Sequence, residues 1–457
     1  MNRCHLSLCL LVACSIAAAA QSSAPLAPTP PMGWNSWDAY GPTITEAQFK
    51  ANVNWLHQHL EPYGWQYVVV DEGWYLANPD SSANPGYTLS AEGRYLPAAN
   101  RFPSAGAQQS FKPLADYVHS LGLKFGIHII RGIPREAVEK NLPIAGSTFH
   151  AADAANRSDV CRWNSDNYGL KNNAAAQAYY DSIARLYASW GVDFLKVDCI
   201  SSPYKADEIR MVSTALKKTG RPIVLSLSPG PTPLEDAANV RQYAQQWRIS
   251  DDFWDIWSAP QDKNGFPATI KTQFRILAKW SPWADPGHWP DADMLPIGYL
   301  GPHPGWGSPR QSRFTHDEVR TLITLWSIAH SPLILGANLT RLDAATEALL
   351  TNPEVLAVDQ RSTENHPIET APGGDTQASA IVIWTAREGS DVILAIFNRS
   401  DAPATIASQP WNKLGSQFGL DKTLYRVRDL WQRKYLGAQS SLSITLPPHG
   451  SALLSLR

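Results

Sequence analysis

Apolar, strand-like runs that end on acids recur along this chain, separated by segments of helical pattern. Tyr67-Val68-Val69-Val70 ends on Asp71 and Glu72, and Phe194-Leu195-Lys196-Val197 ends on Asp198. Gln246-Trp247-Arg248-Ile249-Ser250 runs into Asp251 and Asp252. Runs at residues 124–128, closing on His128, and 222–228, closing on Ser228, have the same form. The all-apolar run Tyr67-Val68-Val69-Val70 suits a strand buried on both faces, as in parallel sheets covered by helices. The intervening segments predict those helices. Thr45 and Gln48 make a capping box for one reaching about residue 60. Residues 111–121 stop at Gly122, residues 176–190 stop at Gly191, and residues 207–218 and 317–329 follow. Repeated strand–helix order implies a parallel sheet, either open or closed. No Gly-rich phosphate fingerprint follows the first strand, which counts against a dinucleotide fold. Polar residues at the ends of at least five strands favour a barrel, whose reactive groups stand at that face.

The predicted fold class is therefore α/β, a (β/α)8 TIM barrel followed by a C-terminal antiparallel β-sandwich. Residues 1–20 read as a signal peptide, with Arg3 before an apolar stretch and Ala18-Ala19-Ala20 as the cleavage site. Leu11-Val12-Ala13-Cys14 resembles a lipobox, so lipoprotein anchoring at Cys14 is the rival to release in secreted or periplasmic form. Residues 21–31 form a Ser/Pro-rich linker and residues 32–365 the barrel. From 366 to 457 short strands alternate with turns, a length of about 90 residues that suits a sandwich. Cys161 and Cys199 are the cysteines that fall beyond the signal segment. In an exported protein they form a disulfide or remain two free thiols, and no CxxC or HExxH spacing suggests metal ligation.

A net charge of −2 leaves no basic surface for nucleic acid or anionic lipid. No run after the signal segment is long enough to span a membrane. A neutral ligand is the default, and the 18 tryptophans point to sugar rings as well as to a core. Trp34, Trp37 and Trp74 are candidate stacking faces. No cofactor and no metal is expected, and oligomeric state is open.

Two acids on separate strands are what a glycosidase requires, one to attack the sugar and one to protonate the leaving oxygen. Lys196 lies two residues before Asp198 and shares its side of the strand. A cation so placed can keep Asp198 ionised. Asp252 stands four residues after Arg248 and beside Asp251, where like charges help raise a proton donor's pKa. Asp71, Glu72 and Asp293 are further acids for sugar hydroxyls, while Asp291 reads equally as a turn acid.

Five motifs occur in the order found in glycoside hydrolase family 27. They are Pro31-Met32-Gly33-Trp34-Asn35-Ser36-Trp37, Asp71-Glu72-Gly73-Trp74, Lys196-Val197-Asp198, Arg248 to Asp252, and Trp289-Pro290-Asp291-Ala292-Asp293-Met294-Leu295. Over about residues 30 to 365 the chain resembles that family of retaining α-galactosidases and α-N-acetylgalactosaminidases. The resemblance implies that Asp198 is the nucleophile and Asp252 the general acid/base. It implies sugar contacts from Trp37, Asp71, Glu72, Lys196, Arg248 and Asp293, and carboxyls about 5 to 5.5 Å apart.

Three positions that would face the sugar depart from the family pattern. Glu72 stands where a second aspartate is typical, and one extra methylene would crowd a C6 hydroxymethyl group. His128 replaces a frequent tyrosine, and Ser228 a bulkier acid near the 2-hydroxyl. The expected activity is a secreted retaining exo-glycosidase on terminal α-D-galactosyl residues of oligosaccharides or polysaccharides. The same mechanism on β-L-arabinopyranosides, α-N-acetylgalactosaminides or isomaltose-type α-glucosides is the alternative. A non-catalytic carbohydrate-binding protein is the alternative of another class.

Overall fold

The computed structural model describes residues 25–260, 265–368, 380–411 and 419–457. The expected signal peptide lies outside the described residues. Eight short strands form the inner sheet: β1 (Met32–Asn35), β2 (Tyr67–Val70), β3 (Lys124–Ile130), β4 (Phe194–Asp198), β5 (Val224–Leu227), β6 (Gln246–Arg248), β7 (Trp289–Asp291) and β8 (Leu333–Leu335). Their order is β7-β6-β5-β4-β3-β2-β1-β8, and every pairing is parallel. The segment after β7 closes the ring. Leu295 bridges Leu335 in parallel, and its N–H donates to Ile334 O at 2.7 Å.

The outer helices form where caps and apolar spacing call for them. They are α1 (Glu46–His59), α2 (Lys112–Ser120), α3 (Ala174–Trp190), α4 (Ala206–Lys218), α5 (Ile270–Trp280), α6 (His316–Ala329) and α7 (Pro353–Arg361). The Thr45–Gln48 capping box opens α1, and a second box, Thr315 with Glu318, opens α6. Gly191 ends α3 with φ 87°, a left-handed conformation that a side chain resists. Gly33 is needed for a different reason, since a Cβ there would collide with the Tyr67 carbonyl across the β1–β2 ladder.

Val68, Val70, Phe125, Ile127, Leu195 and Val197 are all buried in one continuous core with the helices. Full burial of such side chains stabilises by about 1.5–3 kcal/mol each. Trp34 and Trp74 belong to this core rather than to a sugar platform. Both have 0% exposure, and their indoles donate to Ala337 O and His128 O, both at 2.7 Å. A buried indole must place its one donor, and these two use it to pin loops to the strand ends.

The C-terminal strands are β9 (Thr363–Ile368), β10 (Ile381–Glu388), β11 (Asp391–Asn398), β12 (Ala404–Pro410), β13 (Tyr425–Asp429), β14 (Lys434–Gln439), β15 (Ser441–Leu446) and β16 (Ser451–Leu456). Six form an antiparallel sheet in the order β9-β10-β11-β16-β13-β14, and β12 pairs with β15 as a second layer. Leu394, Ile396, Val427, Leu446 and Leu454 fill the space between layers. The other face of the large sheet packs on the barrel: Phe397 meets Phe274 of α5 edge-on at 5.1 Å, and Trp431 donates to Thr324 of α6 at 2.9 Å. Among the described residues no helix is long and apolar enough to cross a membrane.

Candidate active site

A cavity of about 560 Å³ opens at the C-terminal ends of the barrel strands. Trp37, Asp71, Glu72, Lys196, Asp198, Ser228, Arg248, Asp252 and Asp293 all line it. Parallel strands deliver these groups together because residues in register on neighbouring strands face the same way. Lys196 pairs in register with His128 on β3 and with Ser226 on β5.

Asp198 lies at the floor, its side chain 12% exposed. Its Oδ2 faces His128 Nε2 at 3.3 Å and accepts the Ser228 hydroxyl at 3.2 Å. Its Oδ1 accepts the Trp163 indole N–H at 3.1 Å. Burial pushes the Asp198 carboxyl up, but the hydrogen bond and charge of His128, joined by Lys196, outweigh it and hold the group below its ordinary value. His128 is itself buried, which disfavours its charge, yet Asp71 and Asp198 together keep its pKa raised. His128 does not line the cavity. It is 1% exposed and stands behind the carboxylate, with Nε2 toward Asp198 and Nδ1 without a hydrogen-bond partner among the described residues.

The Lys196 ammonium donates to Asp71 Oδ2 at 2.9 Å rather than to Asp198, and Asn35 donates to the same oxygen at 2.7 Å. Burial opposes the ionised Asp71, but Lys196 and His128 hold its pKa well below the usual range. Glu72, next in sequence, behaves oppositely. Burial, aided by Asp198 and Asp71, raises its carboxyl to about 7 against the pull of His128 and Asn164. One strand end thus presents one firmly ionised acid and one poised near neutrality.

On the opposite wall Arg248 bridges Asp293 Oδ2 at 2.8 Å and Asp252 Oδ1 at 3.2 Å. Asp293 has a left-handed φ of 89°, rare outside glycine. That turn lets its carboxylate accept the N–H groups of Phe253 and Met294, both at 2.8 Å. Asp291 is a turn acid: it accepts from Gln246 and from the Asp293 N–H at 2.8 Å, and so orients Asp293. The Asp252 side chain is 44% exposed, against 12% for Asp198. One carboxyl is therefore deep and ion-held, and the other stands at the rim.

Several lining residues had no sequence signal. Asp38 is 2% exposed, with Oδ2 lacking a hydrogen-bond partner. Arg162 and Trp163 reach the cavity from a loop that the Cys161–Cys199 disulfide ties to the residue after Asp198. The lone Cys161 beside them was the one available hint.

A barrel that gathers a deep carboxylate, a rim carboxyl and further polar side chains around one cavity fits the class that comparison with known proteins defines: this is a glycoside hydrolase. Residues 166–361 match the family model described as Alpha galactosidase A, and residues 378–456 match the Alpha galactosidase C-terminal beta sandwich domain. The chain is 30% identical to Alpha-galactosidase 3 of Arabidopsis thaliana, over 90% of this chain and 77% of that one. It is 25% identical to Alpha-galactosidase A of Cellvibrio japonicus, over 97% and 95%. The solved GH27 β-L-arabinopyranosidase of Geobacillus stearothermophilus is 43% identical, covers 94% of this chain and 97% of its own, and superposes with a TM-score of 0.86. The chain belongs to glycoside hydrolase family 27.

Proposed function

We propose that this enzyme is a retaining exo-glycosidase in which Asp198 is the nucleophile and Asp252 the general acid/base. The unequal exposure of the two carboxyls carries the assignment. Asp198, kept ionised by His128 and Lys196, attacks the anomeric carbon from the closed floor. Asp252, at the open rim, gives its proton to the departing glycosidic oxygen. A covalent glycosyl-enzyme results. Asp252, now a carboxylate, takes a proton from water, whose oxygen attacks the same carbon and frees Asp198 with net retention. Trp37, Asp71, Glu72, Lys196, Ser228, Arg248 and Asp293 bind the sugar, and His128 acts through Asp198.

The sugar this pocket fits best is a terminal β-L-arabinopyranosyl residue of an oligosaccharide or polysaccharide. That ring has the configuration of an α-D-galactoside without the C6 hydroxymethyl group. The Glu72 carboxyl lines the cavity, where its extra methylene occupies the volume a hydroxymethyl would need. The 43% identity to a β-L-arabinopyranosidase supports the same reading. α-D-Galactosides enter as poorer substrates, because one methylene is worth only about 1–3 kcal/mol. The Cys161–Cys199 disulfide supports export, as such bonds persist outside reducing compartments.

The test is turnover of 4-nitrophenyl β-L-arabinopyranoside, α-D-galactopyranoside and N-acetyl-α-D-galactosaminide, with the product anomer followed by NMR. The arabinopyranoside should give the highest kcat/KM and a first-formed product of retained configuration. A higher value on the galactoside, or an inverted product, would reject the sugar or the mechanism respectively.

A further inference from the structure

We propose that Asn164 is a positioning residue that sets the sugar preference by holding the Glu72 side chain extended into the pocket. The proposal rests on the reading of Glu72 given above. Asn164 is 92 positions from Glu72, yet its Nδ2 donates to Glu72 Oε1 at 2.5 Å. A glutamate has one more rotatable bond than an aspartate, so its carboxyl must be held if its length is to exclude a substituent. Asn164 is built to do this, because its own amide cannot turn. Its Oδ1 accepts the Asp166 N–H at 2.8 Å, and its Nδ2 also lies 3.3 Å from Asp166 Oδ2. A flipped amide would set its oxygen against two carboxyl groups and lose the Asp166 N–H.

Asp166 is fixed in turn. Tyr75 donates to its Oδ2 at 2.8 Å and Tyr87 to its Oδ1 at 2.5 Å. The Tyr75 ring is stacked on Tyr95 with centroids 3.8 Å apart, and Tyr95 donates to Asn167 at 2.9 Å. The disulfide from Cys161 to Cys199 anchors the start of the same loop beside Asp198. Glu72 therefore meets a donor mounted on a braced loop, whose position is set independently of the sugar. Once the Asn164 donor is gone, the buried carboxyl loses a hydrogen bond and folds away from the cavity. The volume it vacates accepts a hydroxymethyl group.

The experiment compares kcat/KM on 4-nitrophenyl β-L-arabinopyranoside with kcat/KM on the α-D-galactopyranoside. The proteins are the parent, Asn164→Ala, Asn164→Asp, Glu72→Asp, and Glu72→Asp combined with Asn164→Ala. Asn164→Asp keeps the shape of the side chain, replaces the donor by an acceptor oxygen and adds a carboxylate beside Glu72 and Asp166, whereas Asn164→Ala removes the donor without adding charge. Both single Asn164 variants should lower the arabinoside-to-galactoside ratio about 10-fold, the lower end of what one methylene commands. In the Glu72→Asp background the Asn164→Ala change should move the ratio less than about twofold, because the shorter carboxyl no longer reaches the amide and the two effects stop adding. An equal loss on both sugars would mark Asn164 as a merely structural residue and overturn the proposal. So would an unchanged ratio in both Asn164 variants while Glu72→Asp shifts toward the galactoside; the arabinopyranoside reading would then stand without it. If Glu72→Asp itself leaves the ratio unchanged, the reading of the sugar falls, and the role of Asn164 with it.

Discussion

Trp163 and Asp198 are joined twice. The indole N–H of Trp163 donates to Asp198 Oδ1 at 3.1 Å, and a disulfide links Cys161, two residues before the indole, to Cys199, the residue after the acid. With His128 and Ser228 on Oδ2, the carboxylate is fixed from both sides before any sugar arrives. Preorganisation of this kind lets an ionised group act without reorganising at the moment of reaction.

Removing either carboxyl should separate the two proposed roles. Asp198→Asn is expected to abolish turnover of every glycoside. Asp252→Ala should lose about 10²–10⁴-fold on poorly departing alcohols, the usual worth of general acid catalysis, and much less on 2,4-dinitrophenyl substrates. Azide added to Asp252→Ala should yield a glycosyl azide of retained configuration. Full activity in Asp198→Asn would reject the assignment.

His128 should act on the pH profile rather than on sugar binding. The imidazole beside Asp198 is what offsets burial and keeps that carboxyl's pKa low. In His128→Phe that pKa rises, so the acid limb of kcat/KM moves to higher pH. An unmoved limb with a raised KM would show that His128 touches the sugar after all.

Glu72 should make the fold less stable as pH rises. Its folded pKa is raised to about 7 from an ordinary 4.5. The native state therefore binds more protons than the unfolded chain between about pH 4.5 and 7, and stability falls across that window. Glu72→Gln keeps the shape and removes the charge. Its melting temperature should exceed the parent's at pH 8, with the gap closing at pH 5. A constant gap across that range would contradict the raised pKa.

Breaking the disulfide should cost both stability and rate. Cys161 and Cys199 are 38 residues apart, and closing such a loop is worth about 2–4 kcal/mol. Cys161→Ser with Cys199→Ser should be less stable to denaturant by that amount and lose kcat, since the loop bearing Trp163 is freed. Equal kcat in the folded double variant would mean that Trp163 needs no tether.

The sequence by itself determined the class of fold and the floor of the site. Unbroken apolar runs such as Tyr67-Val68-Val69-Val70 need burial on both faces, and capping signals at Thr45 and Gly191 delimit the helices between them. Strand periodicity then set Lys196 and Asp198 on one side, and the order of five motifs named the family. What lies across from each of these groups could not be read this way. Periodicity fixes the side a residue faces but carries no information about partners 70 or 90 positions distant. Only the tertiary structure paired Lys196 with Asp71, placed His128 behind Asp198, and sank Trp34 and Trp74 into the core. It also brought Asn164 to Glu72 on a loop whose path depends on a disulfide and three tyrosines. The two acids proposed as catalytic were legible as candidates because a strand end constrains them locally. The groups that tune them were not, because long-range packing alone decides where a loop comes to rest.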